Sequence, residues 1–260
     1  MVQFGVCTPV ETSAAVTAAG WDFVEESAQA LLQGQVPDAQ WGGLARARSS
    51  ALPIRASNLL VPAALKITGP TARLDDLRAY INAVCRRAPT VGIKFLVFGS
   101  GGARNVPDGF SRDVARTQIM DFIKVAGDAA AAAGVTIVVE HLNRRECNII
   151  NSVAEAMEYI RAANHPAVQC LVDSFHLWLE NESLDVVKAA MPWVRHVHVS
   201  DVINRAPPGE TGQCDYRPLF GVLKRAGYDA GICVEAIGFT DFATMGPRVL
   251  DYLKQQWAQA

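Results

Sequence analysis

Eight short apolar runs set the strongest limit on how this chain folds. They occupy residues 3–7, 22–26, 54–58, 93–98, 135–140, 168–173, 194–198 and 232–235. Each is rich in Val, Ile and Phe and too short for an ordinary helix, so each reads as a strand. Between them the apolar residues shift to helical spacing, as in Leu74, Leu77, Ile81 and Val84, and, after the last run, in Phe242, Met245, Val249, Leu250 and Leu253. Ser111 precedes the segment carrying Ile119, Phe122 and Ile123, and Asn151 and Ser152 precede Val153; both are helix-start signals. Gly134, Gly227 and Gly231 punctuate the way into the fifth and eighth runs. Strand and helix therefore alternate along the whole chain.

Strands this continuously apolar are buried on both faces, as in a parallel sheet covered by helices. Half of the 260 residues are hydrophobic, enough for one large core. The expected fold is α/β, a (β/α)8 TIM barrel, with residues 1–260 forming a single domain. An open doubly wound sheet would carry a Gly-rich phosphate loop after its first strand, where this chain reads CTPVE. The GSGG stretch at 99–102 has the spacing of neither a dinucleotide nor a phosphate loop and reads as a tight turn between strand and helix. The alanine run at 129–133 reads as a helix end, not a spacer.

A net charge of −2 and a pI near 6.2 supply no basic field, so nucleic acid is not an expected partner and a small-molecule ligand is. The apolar stretches fall short of a membrane span, and MVQFGVCTPVE has no basic region ahead of a hydrophobic signal core, so a cytoplasmic protein without membrane contact is expected. The six cysteines form no CxxC pair, which argues against a zinc ribbon or a dithiol redox motif. They are expected as buried thiols, with Cys7, Cys147 and Cys214 near a pocket.

The chemistry lies where the later strands end. The fifth closes on Glu140, the sixth on Asp173 and the eighth on Glu235, and the seventh, VRHVHV, carries His198 near its end. In a barrel these ends converge on one mouth. Three carboxylates in one dry volume oppose each other's ionisation, and a divalent cation relieves the conflict. Three oxygen donors and one imidazole suit manganese first, then magnesium or cobalt, with zinc less suited because it prefers more His or Cys. His196 shares the inward side of its strand with His198 and is a candidate partner beneath the site.

The segments EHLNRRE from Glu140, LVDSFH, HVHVSD and the closing CVE together resemble the xylose isomerase-like TIM barrel superfamily of sugar isomerases and epimerases. Within it they are similar to ketose 3-epimerases of the tagatose and psicose type and to hydroxypyruvate isomerase, over residues 134–235. The resemblance implies Glu140, Asp173, His198 and Glu235 as ligands of one divalent ion. It further implies Glu140 and Glu235 as the acid/base pair, and Glu146, His176 and Arg205 as contacts to substrate oxygens, with His176 in the loop after the sixth strand. The implied reaction moves a proton beside a ketose carbonyl through a cis-enediolate, and the implied assembly is a homodimer or homotetramer.

Lys66 and Arg104 are candidates to read an acidic or phosphorylated substrate group, with solvated loop positions as the alternative, and Arg144 and Arg145 either hold the loop before Glu146 or also read a charged group. Trp178 is expected to pack beneath its loop. The same scaffold supports a lyase, dehydratase or deglycosidase, in which the enediolate expels a leaving group. A sugar-binding barrel without catalysis is a further alternative. An endonuclease IV-like DNA-repair enzyme is disfavoured, because its site is histidine-rich and all five histidines here lie at or after position 141.

Overall fold

A computed structural model describes residues 2–212 and 214–260. Eight parallel strands close into a barrel in chain order: β1 Gln3–Cys7, β2 Phe23–Glu25, β3 Ile54–Ser57, β4 Phe95–Phe98, β5 Thr136–Glu140, β6 Val168–Asp173, β7 Val194–Val199 and β8 Gly231–Val234. The expected (β/α)8 TIM barrel is therefore the observed fold. Several strands are shorter than the apolar runs that announced them, because a run outlasts its ladder bonds. Asp22, for example, lies outside β2 and accepts the Phe4 N–H through its carboxylate at 2.9 Å. Glu235 lies one residue past β8, yet its N–H still reaches the Val199 carbonyl at 3.2 Å.

Both expected helix starts are present. The Ser111 hydroxyl accepts from Val114 N–H at the head of helix Arg112–Ala133, and Ser152 does the same for Glu155 at the head of Val153–Ala163. Gly134 ends the first of these in a left-handed conformation, φ 70°, which closes the alanine-rich end and turns the chain into β5. Along helix Leu74–Arg87 the periodic residues Leu77, Ile81 and Val84 are buried in the main core. Among the described residues no helix is long and apolar enough to cross a membrane. All six cysteines are free thiols, and five of them are buried.

The main core lies between strands and helices, while a separate apolar layer fills the barrel itself: Val97, Val138 and Leu171, with Phe95 against them. The two-residue period of a strand puts Glu140 on the same side as Val138, and Asp173 on the same side as Leu171, so this layer is the dry floor under the carboxylates. Phe23 also projects inward. A Cβ on Gly5 would lie 2.2 Å from its ring and one on Gly231 2.8 Å, so two neighbouring strands give up their side chains to admit it. Replacing Phe23 by Ala leaves that space empty, with an expected loss of about 3–5 kcal/mol in urea unfolding. A loss below about 1 kcal/mol would mean the ring does not brace the barrel.

Candidate functional site

Glu140, Asp173, His198 and Glu235 bring one donor atom each to within 4.8 Å of one another. Their convergence follows from register: Asp173 lies beside His198 across β6 and β7, after an irregularity between Cys170 and Leu171 at which β7 advances by one extra residue. His198 Nδ1 is 3.3 Å from Glu140 Oε1 and 3.2 Å from Glu235 Oε2. Asp173 also caps the next helix, accepting Phe175 N–H at 2.8 Å through Oδ1, and turns Oδ2 into the site.

Arg205 reaches the same centre. Its Nη2 donates to Glu235 Oε2 and, at 3.0 Å, to Asp173 Oδ2, and Nη1 lies 3.7 Å from Glu146. Asn204 and Arg205 both take left-handed backbone angles, φ 56° and 50°, and that turn aims the guanidinium back over the mouth. The Arg205 carbonyl accepts Ile237 N–H at 2.8 Å, and its Nε donates to the Glu235 carbonyl at 3.1 Å, which ties the turn to the chain after β8. Of the expected substrate contacts, Glu146 stands at the rim and accepts from Asn143 Nδ2 at 2.8 Å. His176 is not in a loop. It sits in the first turn of helix Ser174–Leu179, because Asp173 starts that helix as soon as β6 ends.

These positions shape the charge of the site. Burial first, then Glu235 and Asp173 opposite, raise the Glu140 carboxyl to about 7. Burial would raise Glu235 as well, but His198 and Arg205 overcome it and hold this carboxyl at about 2. His176 is lowered to about 3 by burial and by the Arg205 charge, so its ring is neutral. Burial would lower the His198 imidazole, but Glu25 and Glu235 outweigh it and raise the ring well above its ordinary value. With Glu25 counted, the carboxylates still outnumber this ring and the Arg205 guanidinium, and His198 turns a ring nitrogen toward the mouth. That donor set fits a hard or borderline divalent cation.

The sequence model of the xylose isomerase-like TIM barrel family matches residues 13–255. The chain belongs to this family. A ketose 3-epimerase of Arthrobacter globiformis is 29% identical over 136 residues, covering 50% of this chain and 45% of that one. The 3-dehydro-D-guloside 4-epimerase of Escherichia coli (strain K12) is 30% identical over 126 residues, covering 48% and 47%. The chain thus spans about half the length of the curated relatives it matches. Among solved structures, the D-psicose 3-epimerase of Clostridium cellulolyticum H10 with D-tagatose superposes with a TM-score of 0.83 at 17% identity, over 98% of this chain and 99% of that one, a likeness of fold.

In this xylose isomerase-like barrel several residues that shape the mouth were not evident as site residues from the sequence. Glu25, at the end of β2, is fully buried beneath the cluster: its Oε2 is 2.7 Å from His196 Nε2 and 3.1 Å from His198 Nε2. Burial opposes its ionisation, but the two imidazoles facing it outweigh that and keep it far below the usual carboxylate range. With Nε2 of His198 committed to Glu25, Nδ1 is the nitrogen left for the mouth. His196 is thus inside the barrel, where its strand period placed it. The sequence signal for Glu25 was its place at a strand end, two residues after inward Phe23, but β2 lies across the barrel from the four strands that drew attention. Asn58, after β3, likewise donates to Glu235 Oε1 at 2.7 Å.

Of the basic residues proposed as charge readers, Arg104, Lys66 and Arg144 have protein partners. Arg104 is fully buried and donates to the carbonyls of Phe98 at 3.0 Å and Glu140 at 2.8 Å, so it ties the ends of β4 and β5 together. Lys66 donates to the Gly102 carbonyl at 2.8 Å and does not line the cleft over the cluster. Arg144 pairs with Glu180 and Arg145 is exposed. Trp178 packs on Tyr216, as expected.

The cleft over the cluster measures about 350 Å³, with Glu140, Glu146, His176, Arg205 and Glu235 on one side and Gly99 to Gly102 on another. A larger groove of about 530 Å³ between helices Leu184–Ala190 and Arg217–Arg225 has no such convergence of groups. The GSGG stretch is more than a turn, since a Cβ on Gly99 would fall 2.1 Å from Glu140 Oε2. Gly99→Ala is therefore expected to push that carboxylate aside with little loss of stability. Calorimetric titration with Mn²⁺ would show weaker binding at an unchanged unfolding midpoint; unchanged binding would contradict this.

Proposed function

We propose that this chain is a divalent-metal-dependent sugar isomerase or epimerase, acting on a ketose or related hydroxy-carbonyl compound by moving a proton beside the carbonyl. The observation that carries the reading is the arrival of Glu140 and Glu235 at one buried cluster from different strands, under a cleft of small-molecule size. The sugar epimerases among its relatives support the same class. Glu140, Asp173, His198 and Glu235 would hold the ion, with manganese first and magnesium, cobalt or zinc as alternatives. When bound, the ion polarises a carbonyl oxygen and acidifies the adjacent C–H.

The chain's own residues supply the remaining work. Burial raises Glu140 to about 7 in the ion-free protein, so it gives up its proton near neutral pH, and once ionised it borders the cleft where it can take one from a substrate carbon. Glu235, kept ionised by Arg205 and His198, faces it as the second carboxylate, so a proton removed by one is returned by the other on the opposite face of an enediolate. Arg205, Glu146 and His176 border the cleft and are placed to hold substrate oxygens.

The test is solvent-deuterium incorporation into a panel of ketoses by the Mn²⁺-loaded protein, with products identified by NMR. Chelation is expected to abolish exchange, and Glu140→Gln or Glu235→Gln to lower it about 10²–10⁴-fold. Full exchange by Glu235→Gln on a confirmed substrate would sink the two-carboxylate reading. A dehydrated product would move the chain to the lyases.

The raised Glu140 carboxyl also sets a pH dependence. Gripping a cation requires loss of its proton, so the apparent Mn²⁺ affinity should fall about tenfold for each pH unit well below the value near 7, with proton release measurable by calorimetry in two buffers. For the ion-free protein, the folded value lies above the ordinary 4.5. The contribution of Glu140 to stability is then full below about 4.5 and is lost as pH rises through about 7. A Mn²⁺ affinity flat from about pH 5 to 8 would contradict this assignment.

A further inference from the structure

We infer that Asn143 fixes His176 as the tautomer protonated on Nε2, so that this ring serves the site only as a hydrogen-bond donor and never as a proton acceptor. The inference rests on the proposed sugar chemistry for its catalytic meaning, but its geometry is independent of it. The backbone N–H of Asn143 lies 3.1 Å from His176 Nδ1. A backbone amide can only donate, so Nδ1 must present its lone pair and the neutral ring must carry its hydrogen on Nε2.

The Asn143 side chain enforces the same choice. Its Oδ1 accepts Arg145 N–H at 3.0 Å, which settles which end of the amide is oxygen. Its Nδ2 then directs one hydrogen to His176 Nδ1 and the other to Glu146 Oε1, both at 2.8 Å. One amide therefore sets a donor and an acceptor side by side: His176 Nε2–H, and the Glu146 carboxylate it anchors.

The donor is left without a protein partner. His176 is fully buried, its Nε2 makes no hydrogen bond, and the nearest carboxylate oxygen, on Asp173, is 3.5 Å away. An unsatisfied buried N–H costs about 1–3 kcal/mol, a cost removed when a ligand accepts from it. The ring borders the cleft, and edge contacts with Phe175 and His141 hold its plane. An oxygen entering the cleft is the acceptor that fits. His176 then binds a carbonyl or hydroxyl oxygen, and any proton relay among substrate hydroxyls falls to Glu146. Asn143 is a positioning residue, since it acts through both.

The experiment is long-range ¹H–¹⁵N NMR of the full chain with ¹⁵N-labelled histidine, loaded with diamagnetic Mg²⁺, with the His176 signals assigned by their loss in His176→Gln. The expected pattern is protonated Nε2 and bare Nδ1. A protonated Nδ1 in the wild-type protein would overturn the proposal. The near-isosteric Asn143→Asp removes the side-chain donor while the backbone N–H still holds Nδ1 as the acceptor, so Nε2 should stay protonated while the Nδ1 resonance shifts on losing one of its two hydrogen bonds; an unchanged Nδ1 resonance would overturn the role given to the Asn143 side chain. On a confirmed substrate, Asn143→Asp should lower kcat about 10²-fold, with a smaller change in KM. The spectra need neither substrate nor turnover. A wrong substrate class would therefore leave them intact, and the wild-type spectrum alone decides the tautomer should the variant fail to fold.

Discussion

Three carboxylates held in one water-poor volume are the condition around which the rest of the mouth is arranged. Each is delivered by the end of a strand whose position is set by the closed sheet, so none can retreat from the others without breaking ladder bonds. The apolar layer of Val97, Val138 and Leu171 under them excludes water that would otherwise screen the repulsion. What remains is local compensation, and it is uneven. Arg205 reaches Asp173 and Glu235, His198 stands between Glu140 and Glu235, and Glu140 has only His198.

Holding such groups in place requires rigidity that the carboxylates themselves cannot provide. Arg104 supplies part of it by donating to main-chain carbonyls on two strand ends, a use of a buried guanidinium that depends on its forked geometry more than on its charge. Glu25 supplies another part from below. It adds a negative charge to an already acidic barrel, offset by the His198 imidazole, and by engaging both His196 and His198 it fixes the two rings in orientation. The Phe23 ring, admitted by two glycines, and Phe95, stacked on His196 at 5.9 Å between centroids, close this lower layer.

The barrel was legible because its signals are local and repeated: a strand too short to be a helix, followed by helical spacing, eight times over. The four strand-end groups could be read for the same reason, since adjacent strands of a barrel must end near one another. Glu25 escaped because adjacency in sequence order does not reveal which residues meet across the lumen. Gly99 escaped because a glycine in a turn has a sufficient explanation in the turn itself, and the Glu140 carboxylate it clears lies on another strand. Arg104 misled for a complementary reason. A basic residue in the stretch after a strand reads as solvent-facing until burial and carbonyl partners are known. The helical setting of His176 is hidden in the sequence because one residue, Asp173, both ends the strand and caps the helix.

Glu140 and Glu235 are identical side chains at equivalent strand ends, and nothing in the sequence divides them. Their environments do. Arg205 reaches Glu235 because Asn204 and Arg205 adopt left-handed angles that bend the chain after β7 back across the mouth, and the Ile237 N–H then latches that bend to the chain after β8. Glu140 makes no direct bond to that guanidinium, and its contact with His198 does not offset burial. In the ion-free protein the two carboxyls are pushed apart, one to about 7 and the other to about 2. This asymmetry is built by a backbone turn outside the strands, so the electrostatic difference between two strand-borne groups is set by the loop that joins β7 to the next helix.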